Sequence, residues 1–245
     1  MGAASRPYKY LDLVTTAFVT SLLITGTVAS KLFAPVKGMI FNGGALFIPV
    51  TYLCGCILTE VYGYARARRV IWTGFFAAAF MSLAYWAVGR IPAAPTWPHQ
   101  AAYDSILGVV PRIVAASLTA YFLGEFTNSV VLAKMKIFTR GRRLWTRTVG
   151  ATFSGQAVDT VVFVVLAFYR TQDFRVIASL SVSIYLLKVA IEIAATPLVY
   201  QITGFLKRTE GEDYFDVGTN FNPFALFGKR AEEPQSPKPY NGPGS

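Results

Sequence analysis

The side chains best suited to chemistry in this chain are polar residues that fall inside long apolar segments. Gln156 and Asp159 lie near the middle of the stretch Thr148–Phe168, TVGATFSGQAVDTVVFVVLAF. Because they are three residues apart, a helix places them on one face. A carboxylate at the centre of a membrane helix costs at least about 2.5 kcal/mol unless it has a partner or water. A polar face at that depth indicates a path for a substrate or an ion.

Two other apolar segments also carry polar side chains near their centres. Glu125 and Asn128 share one segment, and Lys188 and Glu192 share another. Lys188 and Glu192 are four residues apart, so they could pair along one helix and serve only the structure. We favour the alternative, in which at least one carboxylate faces a shared cavity, because ionisable groups inside a membrane are functional candidates by default.

Arg112 and Asn42 are further candidates at less regular places. Arg112 enters an apolar segment at its end, where it could contact a ligand or, by snorkelling, hold a loop in place. Asn42 precedes Gly43 and Gly44, which together with Pro49 could break or bend a helix. Broken backbone within a membrane is tolerated where protein covers it or where it lines a cavity.

Composition sets the class of the whole chain. Of its 245 residues 53% are hydrophobic and only 15% are charged, against about 25% in soluble domains. The net charge of +10 could suggest nucleic acid, but the basic residues sit in short loops between apolar segments, which argues against it. Cys54 and Cys56 lie inside an apolar run and are interpreted as small buried hydrophobes. No cleavable signal peptide is evident.

Hydropathy predicts an all-α membrane protein with six spans. The predicted spans are residues 11–30, 38–59, 70–89, 113–133, 148–168 and 176–206, the last with Pro197 as a kink. Domain 1–10 is expected to be a cytoplasmic N-terminus, 11–206 the transmembrane domain and 207–245 a polar cytoplasmic tail with a disordered end. The segments assigned to the cytoplasm, which are the two termini and the loops 60–69 and 134–147, together hold more than twice as many Lys and Arg residues as the opposite side.

Enzyme signatures are absent from the sequence. It has no HExxH, GxSxG or GxxxxGK[ST] motif, and His99 is its single histidine. We therefore expect neither an enzyme nor a cofactor or metal, and we expect that the chain cannot hydrolyse ATP by itself. A membrane-embedded enzyme would lack a recognisable nucleophile, and a purely structural subunit would leave the charged residues within the spans unexplained.

Several motifs resemble one family. They are EVYGYARARR (60–69), WPHQAAY (97–103), GEFTNS (124–129), SGQAVDT (154–160), KVAIEIAATP (188–197) and FNPF (221–224). Together they resemble the queuosine precursor transporters, also described as putative vitamin uptake transporters, over roughly residues 38–225. The resemblance implies a six-helix fold similar to the substrate-binding subunits of energy-coupling-factor transporters. It also implies uptake of a 7-deazaguanine base through the bacterial inner membrane without an ATPase module.

The candidate residues suit such a base chemically. A guanine-like base presents adjacent N–H donors beside a carbonyl acceptor. Asp159 or Glu192 would accept from the donors, and Gln156 or Lys188 would serve the carbonyl. Buried aromatic side chains would stack on the ring. The complete set of predicted substrate-binding residues is Asn42, Arg112, Glu125, Asn128, Gln156, Asp159, Lys188 and Glu192.

Alternatives remain open at the level of sequence. The chain could be a binding subunit that needs a partner energising module, since small-residue runs such as Ala77–Ala79 could dock another helix. It could also transport another flat heterocycle or a vitamin. Small residues on several spans could pack against a second copy of the chain, so a homodimer is a reasonable expectation. The other expected partner is the lipid bilayer.

Overall fold

The chain folds almost entirely into helices. The computed structural model describes residues 8–138 and 144–210, with only the backbone described for Glu125, Ser129 and several residues beside the gap. The helices are α1 (Leu11–Val28), α2 (Ile48–Tyr62), α3 (Tyr64–Gly89), α4 (Gln100–Ile106), α5 (Val110–Phe138), α6 (Leu144–Phe168) and α7 (Phe174–Glu210). Among these described residues, five helical segments are long and apolar enough to cross a membrane, and Thr152–Phe168 is a shorter apolar helix. The predicted class, an all-α membrane protein, is confirmed.

Large apolar side chains cover the outside of these helices. On α3, Phe76 is 63% exposed, Phe80 is 74% exposed and Leu83 is 59% exposed. In water such a surface would favour association, whereas lipid tails solvate it as readily as another apolar side chain does. The exposure of these residues therefore fits a multi-pass membrane protein.

The second predicted span begins later than the sequence suggested. Residues 38–47 were expected to be helical, but β1 (Leu32–Val36) and β2 (Met39–Asn42) form an antiparallel hairpin, followed by a 3-10 helix over Gly43–Phe47. Gly38 turns the hairpin with a φ of 88°, a conformation that favours glycine. Pro49 stands in the first turn of α2, where a missing N–H costs nothing, so it starts this helix rather than bending it.

The third predicted span begins earlier than expected. The segment 60–69 was interpreted as a loop, yet α2 continues to Tyr62 and α3 starts at Tyr64. Gly63 alone connects them, with a φ of 82°. Arg66, like the other arginines of this run, therefore lies in the first turns of a helix, where the guanidinium donates to the carbonyl of Tyr62.

The last helix is longer than predicted. α7 continues through Pro197 and ends at Glu210, four residues beyond the expected end of the span at 206. The loop before the fourth span contains the short helix α4, and Trp97 and His99 are exposed in front of it. The start of the chain, part of the basic loop 134–147 and the FNPF motif of the tail lie outside the described residues.

The described chain divides into two units. The first is built from the chain up to Leu23, from Phe47–Ala77 and from Glu192 onward, and the second from Ile24–Leu46 and Ala78–Ile191. The first unit has a core of buried residues, among them Phe18, Cys54, Leu58, Val61, Tyr62 and Leu206. In the second unit α5 and α6 pack along each other.

A carboxylate fastens three segments of the first unit. Glu210 accepts hydrogen bonds from the backbone N–H groups of Lys9 at 3.1 Å and Tyr10 at 3.0 Å. It also accepts one from the hydroxyl of the fully buried Tyr62 at 3.2 Å. The two N–H groups stand just before α1, where a helix leaves donors without an intrahelical acceptor. Glu210 thus caps α1 from the far end of the described chain.

Candidate functional site

An ion pair between two apolar helices is the centre of the candidate site. The Nζ atom of Lys188 on α7 donates to Oδ2 of Asp159 on α6. The side chains are 22% and 28% exposed, respectively, so the pair is partly shielded but still reachable. The partnership offsets the cost of two charges among apolar residues. The spacing of Lys188 and Glu192 suggested a pair along one helix, but it did not predict this pair between helices.

The helices α5 and α6 meet at two glycines beside this pair. A methyl group on Gly124 of α5 would lie 2.8 Å from Cβ of Asp159, and one on Gly155 of α6 would lie 2.9 Å from Cβ of Asn128. Asn128 and Asp159 therefore stand on the faces where α5 and α6 touch. That they lie at one helix crossing is a finding of the structure, and their contact with a substrate remains a prediction.

Two more polar residues lie on the same face of α6. Gln156 is half-buried, and its carboxamide oxygen is buried. Thr160 is fully buried, and its hydroxyl has no hydrogen-bond partner within the described part of the chain. Residues 156, 159 and 160 share a helix face at spacings of three and four. Sequence analysis singled out Gln156 and Asp159 but missed Thr160, which looks like an ordinary β-branched residue.

Asn42 has a local structural task. It is 4% exposed at the end of β2, and its Oδ1 accepts from the N–H of Ala45 at 3.0 Å. This bond caps the 3-10 helix. A methyl group on Gly44 would lie 2.8 Å from Cγ2 of Thr25, so the glycines after Asn42 permit a close approach to α1. No described contact joins Asn42 to the ion pair.

Arg112 also has defined partners. Its Nε donates to the carbonyl of Leu166 at 2.8 Å, and its Nη2 donates to the carbonyl of Tyr169. These carbonyls belong to the C-terminal end of α6, where a helix leaves acceptors unsatisfied and favours a positive charge. The position agrees with the alternative that Arg112 holds a loop in place.

Two predicted residues are placed only in part. Glu125 belongs to α5, but its side chain lies outside the described residues. Glu192 is half-buried, follows Lys188 by one turn of α7 and falls in the first unit. Their roles in binding stay predictions.

The spacing of the two glycines in the sequence hints at a close contact between helices. Gly124 precedes Asn128 by four residues, and Gly155 precedes Asp159 by four residues. Small residues at the interface and polar residues that bond across it are each typical of close helix contacts in membranes. Only the structure shows that the two patterns face each other.

The arrangement offers both hydrogen-bond donors and hydrogen-bond acceptors. Asp159 offers acceptors, Lys188 offers donors, and the carboxamides of Asn128 and Gln156 offer both. Among the described residues, no group of three or more His, Cys, Asp or Glu side chains could hold a metal ion. Cys54 is buried in the core of the first unit and Cys56 is partly buried, as expected for small apolar residues.

Fold and site together define a multi-pass α-helical membrane protein with an ion pair among its apolar helices. The chain belongs to the family described as "Putative vitamin uptake transporter", whose model matches residues 42–202. No solved structure matches the chain, so the expected likeness to energy-coupling-factor subunits stays a prediction.

Curated relatives carry more specific names. A "Probable queuosine precursor transporter" of Bacillus subtilis (strain 168) is 30% identical over 145 residues, which are 59% of this chain and 63% of the relative. The "Queuosine precursor transporter" of Escherichia coli (strain K12) is 25% identical over 71% of this chain and 76% of the relative. A "Probable queuosine precursor transporter" of Haemophilus influenzae is 29% identical over 53% of each chain.

The match therefore spans less than two thirds of the B. subtilis relative and about half of the H. influenzae relative. All three are named as transporters and none as an enzyme, in agreement with the prediction that this chain is not an enzyme.

Proposed function

We propose that this chain is a transporter that imports a queuosine precursor, a 7-deazaguanine base such as 7-cyano-7-deazaguanine, across the bacterial inner membrane. The observation that carries the proposal is the reachable ion pair of Asp159 and Lys188 between two apolar helices. Family membership and the names of the relatives support the substrate class.

The pair can exchange partners with such a base. Asp159 would accept from the adjacent N–H donors of the pyrimidine ring, and Lys188 would donate to the ring carbonyl. The substrate would then replace part of the ion pair without leaving either charge unsatisfied. That matters because leaving one member of a fully buried pair unpaired costs about 3–5 kcal/mol.

Transport in this proposal needs no ATPase on the same chain. The sequence has no nucleotide-binding motif, and a site shared by helices can open alternately to either side. Both termini would face the cytoplasm, since the segments richest in Lys and Arg favour that side of the membrane. Whether a partner module is required is decided by reconstitution of the chain alone.

The test is uptake of radiolabelled 7-cyano-7-deazaguanine into proteoliposomes that contain only this protein, with guanine and a panel of vitamins as competitors. We expect saturable uptake that unlabelled 7-deazaguanine bases abolish and vitamins do not. A thermal shift on the purified protein measures binding separately, since ligand at 100 times Kd adds about 2.7 kcal/mol. Binding without uptake would favour a subunit that needs a partner, and a vitamin that binds better would replace the proposed substrate.

Variants locate the site. Asp159→Asn should abolish binding of the 7-deazaguanine base. Asp173 is an exposed carboxylate just before α7, so Asp173→Asn should keep that binding and serves as the control. If Asp159→Asn transports normally at normal expression, the proposed site is wrong.

A further inference from the structure

We infer that Gly124 and Gly155 are positioning residues of the polar site, which hold α5 and α6 close enough for the Asp159 carboxylate to meet the Lys188 ammonium. The effect on the ion pair can be tested without any substrate. Its bearing on transport rests on the proposed function.

The first step is the space at Gly124. A methyl group there would lie 2.8 Å from Cβ of Asp159 and 3.0 Å from the carbonyl oxygen of Gly155. Non-bonded carbons pack at about 3.5–4.0 Å, so the methyl group of an alanine and Cβ of Asp159 would have to move apart by about 1 Å. Neither Cβ nor a backbone oxygen can rotate away as the end of a long side chain can. The helices themselves would have to separate.

The second step is the reciprocity of the contact. A methyl group on Gly155 would lie 2.9 Å from Cβ of Asn128 and 2.9 Å from the carbonyl oxygen of Gly124. Each glycine therefore makes room for the polar residue of the opposite helix. The crossing fixes Asn128 and Asp159 by backbone approach, with no flexible side chain between.

Other helical glycines of the chain have open space around them. Added methyl groups at Gly55 on α2 and Gly204 on α7 would meet nothing within 4 Å. These positions show that a helical glycine in this chain is not automatically at a close contact. They also provide matched controls, because alanine there changes helix propensity by the same chemical step.

The fourth step concerns the ion pair. Asp159 projects from α6 at the crossing, and Lys188 reaches it from α7. We expect a shift of α6 by about 1 Å to lengthen this bond beyond 2.7–2.9 Å, the usual length of a direct charge-assisted hydrogen bond. Loss of the glycine contact should therefore weaken the pair as well as the packing.

A double-mutant cycle on the charges measures this directly. Asp159→Asn, Lys188→Met and the double variant are made in three backgrounds: the unaltered chain, Gly124→Ala and Gly204→Ala. The Tm of each purified protein gives the coupling between the two charges, which exists only if they interact. We expect clear coupling in the unaltered chain and in Gly204→Ala, and at least a halving of it in Gly124→Ala. Gly155→Ala serves as a second test variant.

Equal coupling in all backgrounds would overturn the inference, since a glycine that serves packing alone would lower Tm without touching the charge pair. If the alanine variants do not accumulate, Gly124→Ala is placed in an Asp159→Gly, Lys188→Met background, which removes the Cβ that the new methyl group meets and leaves no unpaired ammonium. More folded protein than Gly124→Ala gives alone would support the inference, and no increase would overturn it. Absence of uptake by the unaltered chain would instead reject the proposed substrate and leave the cycle unaffected.

Discussion

Lys188 on α7 donates to the carboxylate of Asp159 on α6, 29 positions earlier in the chain, and so joins the two helices. Each charge is the other's partner, and the pair is only partly shielded. The attraction between the charges does not depend on which helix carries which sign. In the proposed function, recognition of the substrate would depend on it, because the carboxylate and the ammonium have different hydrogen-bonding roles.

Exchanging the two residues should separate these roles. Asp159→Lys alone faces two ammonium groups towards each other and should lower Tm by several degrees, since 1 kcal/mol corresponds to about 2–4 °C in a chain of this size. The combined Asp159→Lys and Lys188→Asp variant should regain most of that loss but no uptake. Melting curves and proteoliposome uptake check this. Recovered uptake would mean that the pair serves structure only.

Replacing Arg112 should destabilise the C-terminal end of α6. Arg112→Ala loses two donors to the carbonyls of Leu166 and Tyr169, and charged hydrogen bonds of this kind contribute about 1.5–3 kcal/mol each when shielded and less where exposed. We expect a lower Tm and an unchanged KM for uptake, with Arg112→Lys intermediate because lysine lacks the planar fork. The exposed Arg175→Ala is the control. A raised KM at normal Tm would restore Arg112 as a ligand contact.

The sequence predicted the membrane class and all six apolar segments. It named Asp159 and Lys188 as separate candidates and did not predict that they pair with each other. It misplaced the start of the second span because Met39, Ile40 and Phe41 are apolar in a helix or a strand, and only pairing with Leu32 and Phe33 decides for the strand.

The interpretation of 60–69 as a loop was wrong for a different reason. The charge of the arginine run suggested a loop. Arginine is nevertheless a good helix former, and Gly63 alone suffices to end one helix before the next. The crossing of α5 and α6 could not be predicted, because a pattern of one glycine per helix does not say which helices meet.

Glu210→Gln should destabilise the first unit. The carboxylate accepts three hydrogen bonds, and glutamine would turn one acceptor into a donor facing the N–H groups of Lys9 and Tyr10. We expect a loss of several degrees in Tm. Tyr62→Phe should cost less, because Glu210 keeps its backbone partners. Glu60→Gln, at an exposed carboxylate 3.8 Å from Lys207, is the control. Equal Tm values for Glu210→Gln and Glu60→Gln would contradict the capping role.

Asn42 can be tested for its two possible tasks. Asn42→Ser keeps an oxygen for the Ala45 N–H, whereas Asn42→Ala removes it and should cost about 1 kcal/mol. If the cap is its only task, Asn42→Ser should keep both Tm and uptake, as melting and transport assays would show. Normal Tm with a raised KM in Asn42→Ser would identify the carboxamide as a substrate contact.

The order in which the chain is synthesised gives the Glu210 contact a further meaning. Lys9 leaves the ribosome about 200 residues before the carboxylate that caps it, because the two are 201 positions apart. The second unit contains the unbroken stretch Ala78–Ile191, so α5 and α6 can assemble while α7 is still being made. The first unit must wait for the final helix. Truncation anywhere within α7 would therefore leave the early segments of the first unit in the membrane without Glu210.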